Sequence, residues 1–121
     1  MRIGVICSVN PNIFADRIRE VFGRESTVEV VPTTKHQLPA LLMEVQSRQY
    51  THLVFCSRDW LDKIKQINQS VNDETTDRPT RMIILGSGDW NLPPEIHSNP
   101  NIGVLSQKKL TPGEVLQVFF S

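Results

Sequence analysis

The sequence predicts an α/β domain built on a doubly wound, five-stranded parallel sheet in the order 2-1-3-4-5, with a vestigial fourth helix. Three observations carry that expectation. Short apolar runs alternate with segments of helical period, three of the runs are apolar almost without a break, and Pro93, Pro94 and Pro100 crowd the stretch where a fourth helix would lie. Each helix returns the chain to the same edge, so the strands pair in parallel, and right-handed crossovers put helices on both faces.

The first run, Ile3 to Cys7, has the continuous apolar character of a central strand buried on both faces. Asn10 and Pro11 read as an N-cap and first helical position, and Phe14, Ile18, Val21 and Phe22 recur at helical spacing until Gly23. Thr27 to Val31 alternates polar with apolar and meets Pro32, as an edge strand would. Leu38, Leu41, Leu42 and Val45 form the stripe of a second helix whose start Pro39 fixes. His52 to Cys56 is the third strand, and Asp59 is placed to cap a helix carrying Leu61, Ile64 and Ile67, with Asp62 in its first turn. Val71 to Thr80 is polar and turn-rich, Met82 to Leu85 is the fourth strand, and Ile102 to Leu105 a short fifth. Thr111, Pro112 and Glu114 set up a capping box for a last helix, with Val115, Leu116, Phe119 and Phe120 as its inward face. The alternating second strand and short fifth strand belong at the edges, which is the flavodoxin-like order.

The 121 residues are 39% apolar and 21% charged, and 13 basic side chains balance 13 acidic ones. A chain of this size can hold a single core without disulfide or metal, so we expect one complete domain over residues 1–121. Zero formal charge supplies no uniform field for phosphate backbones or anionic lipid, so direct nucleic-acid and membrane partners are not expected. No run reaches the roughly 20 apolar residues that span a bilayer, and the N-terminus lacks the pattern of a secretory signal. The expected location is the cytoplasm.

Ligands of such sheets bind beyond the carboxyl ends of the strands, near the switch point between strands one and three. The tips there are Cys7 and Ser8, then Ser57 and Asp59, then Ser87 and Asp89, then Lys108. A nucleophilic serine needs a base beside it, but His36, His52 and His97 fall before helix two, at the start of strand three and in the proline-rich stretch. The first loop has no glycine and Pro11 has no amide hydrogen, so no phosphate cradle forms there. Ile13 stands where a phosphatase loop beginning at Cys7 would need arginine. Gly86, Ser87 and Gly88 fit either an anion nest or a tight turn, and the turn is the commoner use. Ser-x-Asp-Trp recurs at 57–60 and 87–90. The repeat sets Asp59 and Asp89 side by side, or else Asp59 caps a helix, Asp89 fixes a turn and each tryptophan covers the sheet end. Cys7 and Cys56 sit at similar heights on neighbouring strands and either face each other, which makes a redox-sensitive disulfide geometrically possible, or are staggered onto opposite faces. In a reducing cytosol they read as small core residues. Cys-x-x-Cys and zinc-type Cys/His spacings do not occur, and neither metal nor cofactor is expected.

In length, element order and the stretch Gly103 to Val118, the chain resembles the receiver domain of bacterial response regulators. The resemblance covers nearly the whole chain and rests on layout. It implies that the family's acidic pair falls on Cys7 and Ser8, its phosphoacceptor aspartate on Ser57 or Cys56, its hydroxyl on Gly86 or Ser87, and its lysine on Gln107 or Lys108. A thiol and neutral hydroxyls offer Mg²⁺ none of the carboxylate charge it needs, and a serine hydroxyl is a poorer nucleophile than an ionised carboxylate. The resemblance therefore implies a pseudo-receiver: a non-enzymatic signalling module, without cofactor, that binds a protein partner or a second copy through the face formed by residues 91–121. The chain stops just after Phe119 and Phe120, where a domain cut from a longer regulator would end, or where a native terminus would tuck against the sheet. The alternative is a small enzyme or ligand-binding protein of flavodoxin-like fold using Ser57, Asp59, Ser87 and Asp89, which would show an open pocket over strands one, three and four.

Overall fold

The computed structural model describes residues 1–7, 10–31, 38–72, 79–88 and 90–120. Its strands are β1 (Arg2–Ile6), β2 (Thr27–Val30), β3 (His52–Phe55), β4 (Arg81–Gly86) and β5 (Ile102–Ser106). They form one all-parallel sheet in the order β2-β1-β3-β4-β5, the flavodoxin-like arrangement. The helices are α1 (Pro11–Phe22), α2 (Leu38–Arg48), α3 (Ile64–Val71), α4 (Pro94–Ser98) and α5 (Pro112–Phe119). Prolines at 93, 94 and 100 leave α4 a single turn, as expected. No helix among the described residues is long and apolar enough to cross a membrane.

The sheet separates two cores, because alternate residues of β1, β3 and β4 point to opposite faces. Ile6, Leu53, Phe55, Met82 and Ile84 meet Leu41 and Val45 of α2, Ile64 and Ile67 of α3, and Ile96 of α4. On the other face Ile3, Val5, Val54, Ile83 and Leu85 meet Ala15 and Ile18 of α1 and Val115 and Phe119 of α5. Helix α5 sits close to β5 because Gly103 has no side chain there: a Cβ would lie 2.5 Å from Val118 Cγ1. The Thr111 hydroxyl accepts from the Glu114 amide at 3.4 Å, so the anticipated cap of α5 forms.

The alternation in β2 has a specific use. Glu29 accepts from Arg2 Nη2 at 3.0 Å, Arg48 Nη1 at 2.8 Å and the Tyr50 hydroxyl at 3.1 Å, tying the edge strand to β1 and to the end of α2. The Arg48 contact is the main reason its carboxyl is held below the ordinary range.

Four local expectations are corrected. Asn10 stands at the N-cap of α1 but in the left-handed region, φ 49°, and its side chain caps nothing. The third helical segment opens as a 3₁₀ turn over Arg58–Lys63, with Ser57 rather than Asp59 at the cap position. Asp59 and Asp62 lie exposed inside that turn. Leu116 and Phe120 do not face inward: they are 42% and 63% exposed, because α5 lies over the sheet margin and only Val115 and Phe119 reach the core. His36 and the strand-ending Pro32 lie outside the described residues, as does most of the polar 71–80 stretch.

At the amino edge His52, buried at the start of β3, stacks on Phe119 with ring centroids 5.1 Å apart. Its Nε2 lies 3.0 Å from the Phe119 carbonyl, to which only a protonated Nε2 can donate. Burial is the largest influence on the ring and pushes its pKa down. The unfolded chain, with the ordinary histidine value of about 6.5, then binds a proton that the folded chain resists. We expect stability to be full above about pH 6.5 and to decline as pH falls from there towards the lowered folded pKa, and His52→Gln to flatten that decline in urea midpoints measured across this window. A decline of unchanged steepness in the variant would assign the pH dependence elsewhere.

Candidate functional site

The carboxyl edge is assembled by the register of β1 on β3. Ile6 pairs with Phe55, and the Cys56 amide donates to the Ile6 carbonyl at 3.0 Å, so Cys7 and Cys56 continue the ladder side by side. Both are free, and both are buried in the core beneath α1 and α5. The open question of stagger is thus answered: the two sulfurs share a face. The Cys56 thiol is pushed well above its ordinary pKa, first by the bond to Cys7 and next by burial. This pair of thiol side chains fills the end of the switch-point strands.

Ser57 follows at the tip of β3, only 8% exposed, and its Oγ is buried with no hydrogen-bond partner. Ser87 belongs to a turn in which the Trp90 amide donates to its carbonyl at 3.1 Å. Neither Gly86 nor Gly88 adopts a left-handed φ, so the alternating backbone of an anion nest is not formed there, and the turn accounts for the segment. Gly86 leaves room for the Trp90 ring, which would lie 3.3 Å from a Cβ. Trp60 is buried in the α2–α3 core, with Lys63 Nζ 5.2 Å from its ring centroid. Ser8 and Asp89 lie outside the described residues, so the pairing of Asp89 with Asp59 does too.

Gln107 is the residue whose role here spacing alone could not supply. Its backbone amide donates to the Gly86 carbonyl at 2.9 Å, and its side-chain Nε2 donates to the carbonyls of Cys56 at 3.2 Å and Leu85 at 3.0 Å. One carboxamide thereby ties together the ends of β3, β4 and β5. Lys108 is exposed, with its amide 3.3 Å from the Ser106 hydroxyl. Of the two candidates for the last rim position, Gln107 is the one turned onto the sheet.

A cavity of about 710 Å³ opens at the opposite, amino edge, between Tyr50, His52, Arg81, Asn101, Phe119 and Phe120. The polar side chains of Thr80, Arg81 and Asn101 are engaged within the protein. Arg81 donates to the carbonyls of Val118 and Pro100, and Thr80 to that of Tyr50. Asn101 donates to the Asn68 side chain and the Thr80 carbonyl, and Asn72 bonds to the same two residues. These asparagines, which looked like loop residues in the sequence, clamp α3 to the start of β4 and β5. His97 is exposed at the end of α4. None of the described histidines reaches Ser57 or Ser87 through a hydrogen bond, and no group of three or more His, Cys, Asp or Glu among the described residues could hold a metal ion.

Truncating Gln107 to alanine strands two strand-end carbonyls, so we expect Gln107→Ala to cost about 1–3 kcal/mol. Urea denaturation with an unchanged m-value would report it. A loss below about 0.5 kcal/mol, the range of ordinary surface changes, would show that the carboxamide does not hold the edge together.

No protein-family model matches this chain, and neither a curated protein nor a solved structure does.

Proposed function

We propose that the chain is a receiver-like module that takes no phosphoryl group and acts through protein contacts, binding a protein partner or a second copy. The observation that carries this reading is the pair of free, buried cysteines side by side at the ends of β1 and β3. A phospho-switch needs carboxylate oxygens at that place to gather Mg²⁺ and to supply the nucleophile. Gln107 adds to the case, because its carboxamide is spent on backbone carbonyls where the family's lysine would carry a free charge. The surface assigned to partner contact is the 91–121 face. Leu116 and Phe120 are exposed on and just after α5, Val104 is exposed on β5, and β5 is an edge strand beside a one-turn α4.

A second reading, a ligand-binding or enzymatic use of the rim at Ser57, Asp59, Ser87 and Asp89, draws on one observation: the buried Ser57 hydroxyl has no partner. The two readings separate on a single measurement. After incubation with an acyl phosphate and Mg²⁺, the intact mass of the protein is expected to stay unchanged. A stable phosphoryl adduct mapped to Ser57 would overturn the first reading and favour the second.

The contact surface is tested by Leu116→Glu and Phe120→Glu, which bury a charge in any interface that uses them. Light scattering over a range of concentrations is expected to show self-association of the native chain weakened at least tenfold in both variants, their circular dichroism unchanged. If the native chain is monomeric, the same loss is expected in its affinity for an identified protein partner. Association of equal strength in the variants would remove this face from the proposal.

A further inference from the structure

The chain contains two cysteines, 49 positions apart, and the fold brings them together. They extend the in-register pairing of β1 and β3 by one residue and share one face of the sheet. Neighbouring strands lie about 4.7–4.9 Å apart, inside the Cα separation of about 4.4–6.8 Å that a disulfide spans. Neither residue is wholly enclosed, Cys7 being 5% and Cys56 4% exposed, and both stand at the loop end of their strands rather than at mid-sheet. A core that needed only two small apolar side chains would gain nothing from matching sulfur to sulfur across a strand pair.

We propose that Cys7 and Cys56 form a dithiol–disulfide couple, a modification site whose oxidant is a hydroperoxide. Cys7 is the attacking thiol and Cys56 the resolving one, because the neighbouring Cys7 side chain and burial hold the proton on Cys56. The Cys7 thiolate attacks one peroxide oxygen and the O–O bond breaks. The departing hydroxide takes up the proton that Cys7 released, leaving as water and Cys7 as a sulfenic acid. Cys56 Sγ then attacks Cys7 Sγ and the S–O bond breaks. The second water carries away that oxygen together with the Cys56 proton. In sum two thiols lose two protons and two electrons, and hydrogen peroxide is reduced to two waters. The product cross-links the ends of the two central strands and closes the loop that contains α1, β2 and α2. The couple does not rest on the partner-binding reading, and either can hold without the other.

The test uses the folded full chain, treated with hydrogen peroxide, quenched with an alkylating agent and measured by intact mass and non-reducing peptide mapping. The expected product has lost two hydrogens, resists alkylation at both positions, yields a linked Cys7–Cys56 peptide and returns to the dithiol with dithiothreitol. Its thermal midpoint is expected to rise on oxidation and fall back on reduction. Cys56→Ser is expected to stop at a sulfenic acid on Cys7, trapped by dimedone, while Cys7→Ser leaves Cys56 at least tenfold slower to oxidise. Two thiols that stay fully alkylatable would overturn the proposal, as would sulfinic or sulfonic acids without a link, or a link formed only in denaturant. Because the decisive mapping is done on the native sequence, failure of either serine variant to fold does not spare it.

Discussion

The register of β1 against β3 is the constraint on which the carboxyl edge depends. Both strands are buried on both faces, so a slip of one residue would carry every apolar side chain of β1 into the wrong core. With Val5 held beside Val54 and Ile6 beside Phe55, the next residues have no freedom left: Cys7 must meet Cys56, and Ser57 must follow onto the rim. The chemistry available at the switch point is therefore decided by packing that lies several residues below it. Among the described residues it consists of sulfur and the Ser57 hydroxyl, and the carboxamide of Gln107 closes over the neighbouring strand ends.

The two ends of the sheet differ in kind. At the carboxyl end the carboxamide of Gln107 is consumed by strand-end carbonyls. At the amino end a histidine, an arginine and three asparagines knit helices to strands, and His52, Arg81 and Asn101 line a cavity there with groups already bonded. Arg81 shows what this arrangement does. Its guanidinium bonds to Val118 and Pro100, holding α5 and the loop before β5 to the same point, beside the gap that Gly103 leaves. A ligand entering there would have to compete with bonds that hold the fold.

Much of the architecture could be read from residue order because its signals are local or periodic. Unbroken apolar runs marked β1, β3 and β4, three prolines reduced α4 to one turn, and Thr111-Pro112-x-Glu114 placed the start of α5. What stayed hidden depends on where an element sits relative to its neighbours. Leu116 and Phe120 keep helical spacing with Val115 and Phe119, and only the position of α5 at the sheet margin leaves them outside. The 3₁₀ turn at Arg58–Lys63 arises where Trp60 must be driven into the core directly after a strand, a requirement that propensity does not encode. At the site itself the nearness of Cys7 and Cys56 was legible from strand order, but their shared face was not, since that hangs on a single residue of stagger. Gln107 looked like one of two stand-ins for a lysine, and its bridging of two carbonyls needed three strand ends in space.

The ion cluster on β2 bears on how copies of this chain could assemble. A sheet with two equivalent open margins can stack end upon end without limit. Here one margin carries an ionised carboxylate held between two guanidinium groups, a composition that resists added strands, whereas Ile102–Ser106 on the other side holds no charged residue. Assembly by edge pairing would have a single receptive side per molecule, and joining two such sides consumes both. Such a mode would stop at two, in a closed two-fold pair whose remaining margins carry the ion cluster.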